Sequence, residues 1–370
     1  MTSVRIILTT GGTGGHIFPA LAVAEQLRLQ VPDISLLFVG SEYGPEARLT
    51  KEAGLDFMGL AVRGVLGRGL RAASALAAMA HAILAAKGIL KEFRPDVVAG
   101  FGSYASMPAL TAAALKGTPI AIHEQNAIPG LSNRLMARMA RTVFLALPDQ
   151  LGRFSASRTR LVGNPVRGAI AALYNTQGAP RTEEQTPSLL VMGGSQGAHA
   201  INSAVLAALP RLKGIHIRHQ TGSADFERVK AGYQAHGFTA QEAEVTPFIN
   251  DMARAYAEAD LVLCRSGATT VAELALAGKP SVLVPFPFAT HDHQTGNARA
   301  LEQAGAACLI PERDMVSRDI AGTVLDILHD PARCIAMGGA AHTCAKPDAA
   351  RDVALGLLEL AAASKGASHA

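Results

Sequence analysis

The stretch Gly11-Gly12-Thr13-Gly14-Gly15-His16 decides how the rest of the chain is read. The run before it, Val4 to Thr10, is largely apolar and β-branched and ends in two threonines, the pattern of a buried strand. After it, Phe18 to Leu29 has a helical pattern, with Pro19 expected in the first helical turn, where a missing N–H costs little. The six residues are therefore expected to form a strand-to-helix turn with few side chains. Such a turn lets a ligand approach the backbone, and it aims N–H groups and the positive end of a helix dipole at an anion. His16 adds a group whose unperturbed pKa lies near neutrality.

Outward from this turn, strand-like and helix-like runs alternate. In the first half, strands are expected at 4–10, 34–40, 57–62, 96–100, 119–123 and 142–147, with helices near 18–30, 44–53, 70–92, 104–116 and 130–140. The strands are apolar throughout, as in a parallel sheet covered on both faces. Ala169 to Pro187 is polar and aperiodic and is read as the join between domains. The opening pattern then returns: strand Ser188 to Met192, glycine turn Gly193-Gly194-Ser195-Gln196-Gly197, helix Ala198 to Leu209. This is an internal repeat of one supersecondary unit. Further strands are expected near 215–219, 242–246, 260–264, 281–284 and 307–310, and a C-terminal helix over about 349–363. The expected fold class is α/β, with two Rossmann-like domains whose strand ends face across a cleft.

A chain of 370 residues is long enough for two domains. It has no Trp and 5% aromatic residues, which argues against a base-stacking nucleic-acid binder, and its net charge of +4 supplies no chain-wide basic surface. Cys264, Cys308, Cys334 and Cys344 are widely spaced with no CxxC, so neither a zinc site nor a disulfide framework is expected. The chain enters a strand at once, so no signal peptide is expected. Ala72 to Ala86 is apolar but too short to span a bilayer.

The first turn is a poor dinucleotide fingerprint. It lacks a third glycine at the right offset, and the acid after the second strand, Glu42, lies beyond Gly40 and Ser41. No Gly-Lys-Ser/Thr follows, so it is no Walker loop. His123-Glu124-Gln125-Asn126 ends the fifth strand, at the edge where open parallel sheets bind ligands; the bland alternative is capping of the next helix. Gly163-Asn164-Pro165-Val166-Arg167 presents a guanidinium suited to phosphate oxygens. In Cys264-Arg265-Ser266-Gly267-Ala268-Thr269-Thr270-Val271-Ala272-Glu273, the turn leaves helix N–H groups for a diphosphate, and Glu273 could take both hydroxyls of a ribose. A carboxylate merely favoured near a helix N-terminus is the plainer account of Glu273. His291-Asp292-His293-Gln294 lacks the helical i, i+4 pair of a zinc enzyme and suits sugar hydroxyls better. His216 and His219 lie on a strand and are read as structural. Arg68 and Arg71 before the 70–92 helix, with Arg138 and Arg141, could form a basic patch for anionic lipid; a helix packed on the sheet explains Leu76, Met79, Ile83 and Leu90 equally well.

Taken together, Gly11–His16, His123–Asn126 continuing through Pro129, Gly130 and Asn133, Gly163–Arg167, Gly193–Gly197, Phe248-Ile249, Arg265–Glu273, Gln294 and Asn297-Ala298 resemble the MurG family of N-acetylglucosaminyltransferases, from the first strand to about residue 360. The resemblance implies a GT-B fold, with an acceptor and membrane-side domain over 1–164 plus about 346–363 and a UDP-GlcNAc-binding domain over 165–345. It implies an inverting transfer of GlcNAc from UDP-GlcNAc to the C4 hydroxyl of lipid-linked MurNAc-pentapeptide, converting lipid I to lipid II. His16 is the candidate base and Glu124 a second one; electrostatic help to the acceptor diphosphate is the other role open to His16. By family role, Ile249 meets the uracil through its backbone, Glu273 holds the ribose, Ser195 with Ala268, Thr269 and Thr270 faces the diphosphate, and Gln294 reads GlcNAc hydroxyls. Thr13, Gly14, Gly15, Asn126 and Arg167 complete the donor contacts. No cofactor, metal or nucleic acid is implied. The implied partners are UDP-GlcNAc, lipid I, an anionic membrane surface at the cytoplasmic face of the inner membrane, and proteins of cell-wall synthesis and division. Ser103 stands where the family often has a second glycine. Another GT-B glycosyltransferase with a lipid or small-molecule acceptor, a UDP-sugar 2-epimerase and a nucleotide-sugar sensor are the alternatives.

Overall fold

A computed structural model describes residues 3–12, 14–62, 72–176, 182, 185–194, 197–289 and 292–367. The chain divides into two compact units, one of residues 1–167 with 348–370 and one of residues 168–347.

The first unit runs β1 (Arg5–Thr9), α1 (Gly14–Gln30), β2 (Ser35–Ser41), α2 (Glu46–Glu52), β3 (Asp56–Leu60), α3 (Ala72–Phe93), β4 (Val97–Gly100), α4 (Met107–Lys116), β5 (Ile120–Glu124), α5 (Leu131–Met136), β6 (Thr142–Leu145) and β7 (Thr159–Leu161). Its seven strands are parallel in the order β3-β2-β1-β4-β5-β6-β7. The order reverses between β1 and β4, where Thr9 pairs with Gly100, so the crevice of this doubly wound sheet opens beyond these two strand ends. Alternation along the strands feeds two cores. Ile6, Leu8 and Ala99 pack on one face, with α1; Ile7, Val98 and Ile122 pack on the other, with α3 and α4. The short strand β7, half-buried to exposed, has no apolar run and is absent from the sequence expectation.

The second unit runs α6 (Gly168–Ala171), β8 (Ser188–Met192), α7 (His199–Ala208), β9 (His216–Gln220), α8 (Phe226–Ala235), β10 (Ala243–Thr246), α9 (Met252–Glu258), β11 (Leu261–Cys264), α10 (Ala268–Leu276), β12 (Ser281–Leu283), α11 (His293–Gln303), β13 (Ala307–Leu309), α12 (Ile320–Leu328) and α13 (Pro331–Thr343). Its six strands are parallel in the order β10-β9-β8-β11-β12-β13. The reversal again falls beside the first strand of the unit, so the repeat seen in the glycine turns extends to the whole sheet. The last helix, α14 (Ala349–Ala367), returns to the first unit and packs Val353, Ala354, Leu357 and Ala361 into the core beside α1. Among the described residues, no helix is long and apolar enough to cross a membrane.

Candidate active site

In the first unit, α1 begins at Gly14, four residues earlier than the sequence pattern implies. Gly14, Gly15 and His16 are therefore its first helical residues, and Pro19 lies inside the helix, beyond its first turn. The low helix propensity of paired glycines hides this start from a sequence reading. Thr13 lies outside the described residues. The turn is held from below: Gly12 N–H donates to Glu46 Oε1 at 2.9 Å, and Glu46 is fully buried in the first turn of α2. Nothing in the sequence pattern marks Glu46 beyond a helix start.

His16 is half-buried and its ring lies over the backbone of Gly102. A Cβ on Gly102 would stand 3.2 Å from His16 Nδ1 and 3.4 Å from Gln125 Oε1, and φ there is +80°. Only glycine fits such a floor without strain. The next residue, Ser103, adopts φ 66° and ψ 156°, a conformation close to glycine-only territory.

The run His123-Glu124-Gln125-Asn126 is mostly internal. His123 is buried, stacks on Phe101 with centroids 5.9 Å apart, and donates from Nε2 to the Gly163 carbonyl at 2.9 Å. Burial pushes its pKa down to about 4, opposed by the Gly163 bond and aided by the nearby His16, so it is neutral near pH 7. Gln125 is buried and gives Nε2–H to Phe101 O at 2.8 Å. Glu124, the second candidate base, is held by four hydrogen bonds. Its Oε1 accepts from Asn126 N at 3.0 Å and Asn126 Nδ2 at 3.2 Å, and its Oε2 from Gly130 N at 3.0 Å and Asn133 Nδ2 at 2.9 Å. A carboxylate with four acceptor directions in use orders the loop from Asn126 to Asn133. Arg167 lies with its guanidinium 4.6 Å from the ring centre of Phe18, on α1, so it is brought beside the start of that helix. Phe18 was not singled out by sequence.

In the second unit, Gly193 and Gly194 follow β8, and Ala198 precedes α7; Ser195 lies outside the described residues. Gly197 has φ +76°, and a Cβ on it would stand 2.2 Å from Thr221 O, so the turn closes only on glycine. Ala268, Thr269 and Thr270 are half-buried and form the first turn of α10 after Gly267. Glu273, in the next turn, is buried and accepts from Tyr256 Oη at 2.9 Å. Tyr256 is fully buried on α9, a partner that sequence periodicity marks only as core. Phe248 is exposed and Ile249 half-buried in the loop after β10.

Gln294 lies in the first turn of α11; its Oε1 accepts from Phe286 N at 3.0 Å, and its carbonyl from Ser266 Oγ at 2.8 Å. Arg265 turns toward Val284 O and Pro285 O, at 3.2 and 3.1 Å, and pairs with Glu312, which ties the β12 loop in place. His219 is buried between Asn202 Oδ1 at 3.0 Å and Tyr233 Oη at 3.1 Å, and burial pushes its pKa down to about 3. That is a structural histidine. Among the described residues, no group of three His, Cys, Asp or Glu is placed to hold a metal ion.

Two Rossmann-like units in tandem, each with a glycine turn at the carboxyl edge of its sheet, are the arrangement of the GT-B fold. The sequence matches the glycosyltransferase family 28 N-terminal domain over residues 6–145 and the family 28 C-terminal domain over residues 188–353. The chain belongs to glycosyltransferase family 28. A relative from Nitratidesulfovibrio vulgaris (strain Hildenborough) is 54% identical over 358 residues, 96% of this chain and 97% of its own; it is named UDP-N-acetylglucosamine--N-acetylmuramyl-(pentapeptide) pyrophosphoryl-undecaprenol N-acetylglucosamine transferase. A relative of the same name from Lawsonia intracellularis is 52% identical and covers 97% of this chain and 98% of its own length. The crystal structure of Acinetobacter baumannii MurG superposes with a TM-score of 0.77 at 33% identity, covering 96% of this chain and 99% of that one.

Proposed function

We propose that this chain is a UDP-GlcNAc-dependent N-acetylglucosaminyltransferase that converts lipid I to lipid II in peptidoglycan synthesis. The observation that carries the reading is the end-to-end match, 54% identical over 96% of the chain, to a transferase of that name. The acceptor is the C4 hydroxyl of MurNAc-pentapeptide-pyrophosphoryl-undecaprenol.

The second unit is read as the donor site. Ile249 meets the uracil through its backbone, and Glu273, oriented by Tyr256, holds the ribose. Ser195 and the first turn of α10, Ala268 to Thr270, face the diphosphate, where helix N–H groups stabilise charge on the departing UDP. Gln294 reads GlcNAc hydroxyls. In the first unit, Thr13, Gly14, Gly15, Asn126 and Arg167 are read as completing the donor contacts. Transfer inverts the anomeric centre: the C4 oxygen bonds to C1, the bond from C1 to the β-phosphate oxygen breaks, and UDP leaves with the electron pair. The hydroxyl proton passes to His16, the half-buried imidazole of α1. Radiolabelled GlcNAc should move from UDP-GlcNAc to a lipid I analogue; label that stays on the nucleotide, or moves only to water, overturns the reading.

The same reading includes a peripheral position at the cytoplasmic face of the inner membrane, with cell-wall and division proteins as further partners. It is supported by Leu131, Leu135 and Met139, exposed at four-residue spacing along α5 and the turn after it, with Arg138 and Arg141 exposed beside them. The basic residues expected before α3, Arg68 and Arg71, lie outside the described residues. Sedimentation with phosphatidylglycerol vesicles should fall on replacing Leu135 and Met139 by Glu; undiminished binding removes this surface from the account.

A further inference from the structure

We propose that Gln220 is a positioning residue that couples the phosphate turn of the second unit to its nucleobase loop. The inference deepens the donor reading above and rests on it, with Gly193 to Gly197 facing the diphosphate and Ile249 the uracil.

The sheet order sets up the coupling. β9 lies between β8 and β10, so its carboxyl end emerges between the turn that follows β8 and the loop that follows β10. Gln220 is the last residue of β9 and is buried. Its Nε2 donates to Gly194 O at 2.9 Å and to Pro247 O at 3.3 Å. Both partners are carbonyl oxygens, which only accept, so the two hydrogens of one amide are matched to two acceptors and the other amide orientation has no partner here. The first carbonyl belongs to the glycine turn. The second lies two residues before Ile249.

The neighbouring backbone tightens the same knot. Thr221 N–H donates to Thr246 O at 3.0 Å and Gly222 N–H to Pro247 O at 3.2 Å. Gly194 O also accepts from Gly197 N at 2.9 Å. Thr221 O is the atom that a Cβ on Gly197 would strike. A carbonyl that is held fixes the plane of its peptide. Two ligand halves joined covalently gain from each other only when their two sites keep the right spacing. Gln220 spans that spacing with one side chain, and nothing about its sequence context, the last residue of His216-Ile217-Arg218-His219-Gln220, announces the role.

The test compares UDP, which reaches both segments, with uridine, which reaches one, by titration calorimetry on the full chain. Gln220→Met keeps the shape and removes both hydrogens; UDP should bind about tenfold or more weakly, and uridine less than about threefold more weakly. Gln220→Glu, which sets a carboxylate against two carbonyls, should lose more UDP affinity than Gln220→Met. If thermal unfolding shows Gln220→Met to be misfolded, Gln220→Asn must show the same split between UDP and uridine. Equal weakening of both ligands, or undisturbed UDP binding in a folded variant, overturns the coupling while leaving the donor reading standing. Wild-type protein that does not bind UDP overturns the donor reading, and this inference with it.

Discussion

The two units make the same strand, glycine turn and helix, yet each turn is held from a different side. In the first unit, an N–H is held: Gly12 gives its hydrogen to the buried carboxylate of Glu46. In the second, a carbonyl is held: Gly194 O accepts from the amide of Gln220. The difference lies in the donors of the turn. A carboxyl group beneath a turn consumes one of the turn's donors. An amide that holds a carbonyl down consumes no donor of the turn. Under the proposed function, the repeat in sequence hides a division of labour, with anion binding in the second unit and proton chemistry at His16 in the first.

The largest test of that division is His16→Ala. Turnover should fall by about 10²–10⁴-fold, the usual worth of a general base, while the dissociation constant for UDP stays near wild type. Collapse of UDP binding instead would make the first turn a phosphate site and end the comparison; near-normal turnover would remove His16 from the chemistry.

Acid should strain both units through one buried neutral histidine each. His123 has a folded pKa of about 4 and His219 of about 3, against ~6.5 for a free imidazole. Below pH ~6.5 the unfolded chain takes up protons that the folded units refuse, so stability is full above that pH and is lost as pH falls toward about 4 and about 3. His123→Gln, which can still donate to Gly163 O, should flatten the pH dependence of thermal unfolding over its window. An unchanged slope would show that His123 is charged in the folded protein.

Smaller effects sharpen the picture of the first turn. Glu46→Ala leaves the Gly12 N–H without its acceptor and should cost about 1–3 kcal/mol in denaturant unfolding, with UDP affinity unaltered. A loss of UDP affinity of similar size would mean that Glu46 shapes a nucleotide site. Ser103→Gly relieves φ 66° and ψ 156° and should raise stability by up to about 1 kcal/mol, since the strain released exceeds the added chain entropy of glycine. A destabilised variant would show that the Ser103 hydroxyl, which accepts from Ala105 N at 3.4 Å, outweighs the strain.

Much of the architecture could be read locally. Apolar, β-branched runs and glycine turns identified twelve of the thirteen strands among the described residues to within about two residues at either end, because strand and turn preferences are properties of short segments. The strand that escaped, β7, is three residues, Thr-Arg-Leu, with no apolar run to betray it. The helix start at Gly14 escaped because its glycines speak locally for a turn.

The sites divide differently. Which residue types stand near the strand ends is legible in the chain: the glycines, His16, Arg167, Glu273 and the His123 to Asn126 run. What each of them touches follows from the tertiary structure. Glu46 reaches the first turn from 34 positions along the chain, Gln220 reaches the second from 26, and Tyr256 fixes Glu273 from 17. The same packing places Glu124, the second candidate base, at the centre of a four-bond loop clamp. Backbone preference is settled by neighbours in sequence, whereas burial and hydrogen-bond partners are settled by neighbours in space.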